Sequence, residues 1–228
     1  METEETVKEG LVTASKAKSI WLAFVDIVLF AVLSMIFLFL FAIPFALVFP
    51  ELKTEVGETN IYFQMLNEVL MLVSGLIAAC MVLGFRKLPF SGLGLSLKGW
   101  GRSLLRGALF VVFLYVVGFG LSLLLGAVEV VGFLFSPISL LVSLLLYFFV
   151  AVTEEVIGRG FILGRMLDGG INKFVALFIS AVLFSLMHLF NPNFAFVPFL
   201  NIMVAGCFLG ASYIYTRNLC FPIALHWF

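Results

Sequence analysis

Charge is scarce in this chain. Lys and Arg together number 13, Asp and Glu another 13, and charged residues make up 11% of the 228. A soluble domain carries roughly 25%. The formal net charge is zero, so no long-range field points to nucleic acid, and no nucleic-acid partner is expected. Cysteine is equally sparse. Cys80, Cys207 and Cys220 show neither CxxC nor any other metal spacing, and they read as small buried residues. Only two histidines occur, His188 and His226, and HExxH is missing. The N-terminus, Met-Glu-Thr-Glu-Glu-Thr-Val-Lys-Glu-Gly, has no basic n-region, which argues against a secretory signal peptide. The glycine-rich stretch 92–101 lacks the Walker spacing and its Lys-Ser/Thr end, so it is no phosphate cradle. No internal repeat stands out.

Apolar surface fills the composition instead. Hydrophobic residues make up 63% and the mean hydropathy is +1.21, against about 45–50% apolar in soluble domains. A soluble core of this length cannot hide so much, and the expected fold is all-α, a polytopic transmembrane helix bundle. A span needs about 20 mostly apolar residues. Candidates are 20–49, 61–85, 107–125, 138–166, 173–190 and 197–215. A seventh helix starts at Pro222, a favourable first-turn residue, and the chain stops at Phe228. The expectation is six full spans plus a truncated seventh. Residues 1–19 form an N-terminal segment, 20–135 an N-terminal group of spans and 136–228 a C-terminal core.

Basic residues set the orientation. Lys8, Lys16 and Lys18 precede the first span, and Arg86, Lys87, Lys98, Arg102 and Arg106 follow the second. Arg165, Lys173 and Arg217 flank later turns, while the loop 50–60 has one Lys and three Glu. Alternating spans put every basic cluster on one side, so a multi-pass protein of the cell membrane is expected, with a cytoplasmic N-terminus. The basic loop 86–106 should lie at the lipid interface and touch anionic heads, or serve only as a topology signal.

Against that background, Glu154, Glu155 and Arg159 are anomalous. They follow the run Leu-Leu-Leu-Tyr-Phe-Phe-Val-Ala-Val-Thr. A charge near the bilayer centre costs about 2.5–3.5 kcal/mol on insertion scales. Glu155 and Arg159, four apart, share a helix face and can pair. Glu154 points about 100° away, toward another neighbour. Glu154 lies 11 residues from Arg165, about 16 Å along a helix. His188 lies 15 residues from Lys173 and His226 nine from Arg217, about 22 and 13 Å. Three helices thus carry Glu, His and His to comparable depth. Phe184 and His188 are also four apart, so the ring can pack under the imidazole. Asp26 should lie near a helix end and reach the interface. Glu68 is deeper and can bond Asn67 or a neighbouring helix.

The ordered set Glu154-Glu155-xxx-Arg159, Phe184-xxx-His188 and His226 resembles the motifs EExxxR, FxxxH and HxxxN of the CPBP intramembrane proteases. That family includes the CAAX prenyl endopeptidases and the bacterial bacteriocin-processing or Abi proteins. Gly158 stands where the family commonly has an aromatic. The resemblance implies an endopeptidase that cuts a peptide or membrane-protein substrate in contact with the lipid bilayer. It makes 136–228 the catalytic-type core and names Glu154, Glu155, Arg159, His188 and His226 as its site. Glu154 would be the general base on water, with His188 holding that water. His226, with an Asn four residues on, would stabilise the oxyanion, and Arg159 with Glu155 would orient the site. The family has also been described as metalloproteases. Glu154, His188 and His226 could then hold a single divalent metal such as zinc, with Glu155 taking over water activation. Otherwise no cofactor is needed. The Asn or Asp of the third motif would fall at position 230, past Phe228, and the expectation is that the sequence is a fragment. Two other functions stay open. One is a catalytically inactive scaffold or bacteriocin-immunity protein of the same fold. The other is an ion-coupled transporter with Asp26, Glu68 and Glu154 as a relay.

Overall fold

The computed structural model describes residues 4–49 and 60–228. The acidic loop that the sequence places at 50–60 lies almost wholly outside them. Eight α-helices follow in order: α1 Glu4–Val48, α2 Ile61–Phe85, α3 Trp100–Leu124, α4 Pro137–Glu155, α5 Gly164–Asp168, α6 Lys173–Met187, α7 Phe196–Thr216 and α8 Cys220–Trp227. A 3-10 turn, Phe90–Leu93, precedes α3, and a π-helix, Val156–Leu163, joins α4 to α5. Among the described residues there is no strand. The all-helical membrane bundle is therefore the architecture, and among the described residues five helical stretches are long and apolar enough to cross a bilayer.

Two boundaries move the count. Residues 137–168 form one continuous rod through the π-helix. α6 has only 15 residues, about 22 Å against a hydrocarbon core of roughly 30 Å. It stops at Met187 rather than Phe190, so the expected six full spans become five plus this short apolar helix. α3 begins at Trp100, seven residues before Gly107, and its first turns carry Arg102 and Arg106. Hydropathy misses such turns because their charged side chains hide a helical backbone.

Ser136 caps α4, accepting from Ser139 N–H, with Pro137 at the first helical position. There the missing proline N–H costs nothing. Asn60 and Asn172 cap α2 and α6 in the same way through their side-chain oxygens. With lipid as solvent, burial of apolar surface drives helix association weakly, and close packing of small residues matters more. The contacts show it. A Cβ on Gly107 of α3 would lie 2.5 Å from Ala224 Cβ of α8. On Gly206 of α7 it would lie 3.2 Å from Ala181 Cα of α6.

Polar clamps gather the basic residues at one end of the bundle. Asp26 is fully buried and accepts from Arg86 Nε at 2.6 Å and Arg165 Nη2 at 2.8 Å. The expectation that Asp26 lies near a helix end is corrected. α1 starts at Glu4, which puts Asp26 well inside a helix, and two guanidiniums supply what water would have given. Arg217 pairs with Asp168 at 3.2 Å, and Asn218 Nδ2 donates to Ser96 O at 3.0 Å. The cysteines are also corrected: Cys220 is buried, but Cys207 is half-buried and Cys80 exposed. A thiol on a lipid-facing surface meets no more polarity than one in a core.

The loop 86–99 does more than mark topology. Leu93 is buried, Leu219 N–H donates to Gly94 O at 2.9 Å, and Tyr213 Oη donates to Gly92 O at 3.2 Å. The loop therefore folds back onto the π-helix and onto the α7–α8 corner.

Candidate active site

The site begins where α4 ends. Glu155 closes the α-helix, and the next eight residues wind as a π-helix, all of them buried. π-helical turns are rare and recur at functional sites. Here small residues permit the widening. A Cβ on Gly160 would meet Leu93 O at 2.9 Å, so the 3-10 turn lies directly on the backbone. Ser180 Oγ of α6 donates to Gly158 O at 3.4 Å. Gly158, where an aromatic is common in the resembling family, instead faces the ring of Phe184, at 3.6 Å from a built Cβ.

Arg159 projects from this π-helix and is fully buried, as is Glu155. Its Nη1 donates to Glu155 Oε1 at 2.6 Å, and its Nη2 donates to Gly206 O at 3.3 Å. Its guanidinium carbon stands 4.0 Å from the centroid of Phe184, a cation–π contact. The four-residue pairing expected from the sequence is present although the backbone between is π rather than α.

Glu154 turns the other way. Its Oε1 lies 3.5 Å from His188 Nε2, and its Oε2 lies 3.7 Å from His226 Nε2. The side chains of all three are 15–22% exposed, unlike the sealed Glu155–Arg159 pair. His226 spans both carboxylates, because its Nδ1 stands 2.9 Å from Glu155 Oε1. His188 Nδ1 stands 2.9 Å from Phe184 O. A carbonyl and a carboxylate only accept, so each Nδ1 carries hydrogen. In the neutral rings both Nε2 atoms then present lone pairs toward Glu154. Three acceptors converge on one gap. A group that donates hydrogen, such as a water molecule, resolves that repulsion.

Three elements fix these side chains. His188 sits just past the end of α6 as its C-cap residue, with Phe184 edge-on to it at 5.0 Å between ring centroids. Ser185 Oγ of α6 donates to Phe199 O of α7 at 2.7 Å. Beside His226, Trp227 Nε1 donates to Leu144 O at 2.8 Å and locks α8 onto α4.

The structure thus brings together Glu154, Glu155, Arg159, His188 and His226. It places Asp26 in a separate clamp at the basic end. Glu68, which the sequence offers only as a relay member or as a partner of Asn67 or a neighbouring helix, adjoins the site. Its carbonyl accepts from Thr153 Oγ1 at 3.2 Å, and its Oε2 is buried without a partner. A glutamate in an apolar helix was the available signal, but nothing local shows which neighbour it meets.

Beside the imidazoles opens a cavity of about 670 Å³. Its lining includes His188, His226 and Phe184, and otherwise it is nearly all apolar side chains of α3 and α7. Among the described residues no group of three His, Cys, Asp or Glu side chains stands in a geometry that could hold a metal ion. Both imidazoles are tethered through Nδ1 to protein acceptors, which leaves both Nε2 atoms facing Glu154.

No curated protein and no solved structure matches this chain significantly. Residues 135–228, which carry all five converging side chains, match the Rce1-like family model, type II CAAX prenyl endopeptidase Rce1-like, and it is to this family, in keeping with the CPBP intramembrane proteases, that the C-terminal part of the chain is similar.

Proposed function

We propose that this site hydrolyses a peptide bond within the membrane, with Glu154 as the base that activates water. The observation that carries the reading is the carboxylate of Glu154 flanked by two Nε2 atoms at 3.5 and 3.7 Å, beside a cavity. The Rce1-like match over 135–228 supports a protease-type function in general.

A water in the gap donates one hydrogen to Glu154 and the other to an imidazole Nε2. As its oxygen bonds to the scissile carbonyl carbon, Glu154 takes the proton and the carbonyl oxygen becomes an oxyanion. The C–N bond then breaks. The proton on Glu154 passes to the departing nitrogen, the carbonyl reforms, and the products are a carboxylic acid and an amine. His188 holds the water through Nε2 while its Nδ1–H is fixed on Phe184 O. His226, with its Nδ1–H anchored on Glu155, offers Nε2–H to the oxyanion when its ring holds a proton taken from the medium before the reaction, and it keeps that proton throughout, so the water supplies only the proton that passes through Glu154 to the leaving nitrogen. Arg159 holds the Glu155 carboxylate in place for that purpose. Preorganised donors of this sort contribute about 2.7–4 kcal/mol to such reactions. No step runs through a metal.

The clamps support an orientation. α1 contacts the basic end through Asp26, and cytoplasmic loops are the basic ones. That end is taken as cytoplasmic, together with the N-terminus.

The test is cleavage of apolar transmembrane peptides by the protein in proteoliposomes, read by mass spectrometry, with and without a chelator. The reading expects cleavage by the wild type, persistence after chelation and loss in Glu154→Gln. Wild-type turnover in Glu154→Gln overturns the assigned base. Loss on chelation with recovery on zinc transfers Glu154, His188 and His226 to a metal mechanism.

A further inference from the structure

Hydrolysis at Glu154 consumes one water for each bond cut. Among the described residues the bundle is closed toward its basic end. The eight residues that follow Glu155 are all buried. Leu93 and Met166 are buried with them, and Asp26 plugs that end with Arg86 and Arg165.

The opposite end of α2 is different. Its N-cap and first two turns carry Asn60, Gln64, Asn67 and Glu68, and spacings of three and four place them on one face. Gln64, Asn67 and Glu68 are half-buried, whereas Tyr62, turned to another side, is 68% exposed. Polar side chains within a span face the bundle interior or water. From Val69 to Phe85 no amide or charged side chain follows, and Ser74 is tied to Leu70 O at 2.6 Å. The polar stripe thus begins at the end away from the basic residues and runs about 12 Å along the helix. It stops where Glu68 O accepts from Thr153 Oγ1 at 3.2 Å, next to Glu154.

Glu68 also ends in an unmet demand. Its Oε2 is buried without a hydrogen-bond partner among the described residues, and so is Glu154 Oε2. The two carboxyl groups are close enough for their charges to interact. Two carboxylates cannot donate to each other, but a water with one hydrogen for each satisfies both.

We propose that the Asn60, Gln64, Asn67 and Glu68 face of α2 is the path by which water enters from the non-basic side, and that Glu68 is a positioning residue that passes it to Glu154. Amides both donate and accept, as a file of waters requires. This inference rests on the hydrolytic reading above.

The experiment places single cysteines in the full chain carrying Cys80→Ala, Cys207→Ala and Cys220→Ala, in sealed vesicles of one orientation. The probe is a membrane-impermeant cationic methanethiosulfonate, read by mass spectrometry. Lys98→Cys and Val131→Cys mark the two sides, since both positions are exposed and flank α3 at opposite ends. The reagent attacks a thiolate, which forms where water reaches. Gln64→Cys and Asn67→Cys should therefore react at least about tenfold faster than Leu66→Cys, which lies between them in depth on another face. They should react from the side that modifies Val131→Cys. Turnover is the second readout. Glu68→Leu should lower kcat about tenfold or more with KM unchanged, and Glu68→Gln, which still bonds water, should recover most of the loss. The labelling arm keeps Glu68 in place, so it decides the question even where Glu68→Leu fails to fold. Equal labelling at 64, 66 and 67, or labelling only from the Lys98→Cys side, overturns the proposal. So does a Glu68→Leu with wild-type kcat, or a Glu68→Gln no faster than Glu68→Leu. Labelling as expected, with no peptide cut by the wild type, sinks the hydrolytic reading and leaves the water path standing.

Discussion

Replacing Arg159 with methionine is the sharpest test of how the site is held. Both partners of its ion pair are fully buried. Arg159 supplies Glu155 with a 2.6 Å hydrogen bond, gives Gly206 O a second one and lies over Phe184. Methionine fills much of the volume but leaves Glu155 as a buried carboxylate with only His226 beside it. Removing one partner of a buried pair costs about 3–5 kcal/mol. The desolvated cation–π contact adds up to about 2 kcal/mol at most, partly recovered by methionine against the ring. A loss of about 4 kcal/mol is expected, close to a thousandfold in the folding equilibrium at about 1.4 kcal/mol per decade. The companion Glu155→Gln/Arg159→Met removes both charges and keeps an amide oxygen for His226 Nδ1–H. Replacing a whole buried pair is often neutral or better, so the double variant should regain at least about 2 kcal/mol of the loss. Unfolding in mixed micelles by increasing SDS, followed by tryptophan fluorescence, measures both. A single variant within about 1 kcal/mol of wild type, or a double variant no more stable than the single, refutes the reasoning.

Other consequences are more direct. Glu154→Gln should lower kcat by about 10²–10⁴-fold, the usual contribution of a positioned base, without moving the melting temperature; proteoliposome turnover and a thermal melt read the two separately. Gly107→Val puts side-chain atoms where Ala224 Cβ already stands 2.5 Å from a bare Cβ, and overpacking should cost about 1–3 kcal/mol in the same SDS titration. Asp26→Asn should destabilise by about 2–4 kcal/mol through the loss of two charge-assisted bonds to arginine, while the folded fraction keeps its turnover per molecule. Activity that collapses with unchanged stability would return Asp26 to the relay it holds in the transporter alternative.

Much of the bundle is legible in the sequence. α2 spans 61–85 in both readings, because Asn60 caps one end and Arg86 follows the other. The Glu155–Arg159 pairing and the packing of Phe184 on His188 are local. Four residues of helix bring each pair together, and the structure gives 2.6 Å and 5.0 Å. The ends of α3 and α6 were less legible. The first turns of α3 are polar, and the last apolar residues after Met187 unwind into the turn that carries His188. The π-helix left no readable trace. The contact that singles it out, Leu93 O lying close over the backbone of Gly160, comes from a loop distant in sequence.

The sequence alone determined that this chain lives in lipid, which residues are too costly to be there without purpose, and that Glu154 and Glu155 face different ways. Helical period and the price of burying charge suffice for that. Only the tertiary structure decided that His226 bridges both carboxylates, that Asp26 is clamped by two arginines, and that an apolar cavity walled by α3 opens onto the imidazoles. Those facts depend on distances between helices far apart in the chain, which side-chain packing sets and no local periodicity encodes.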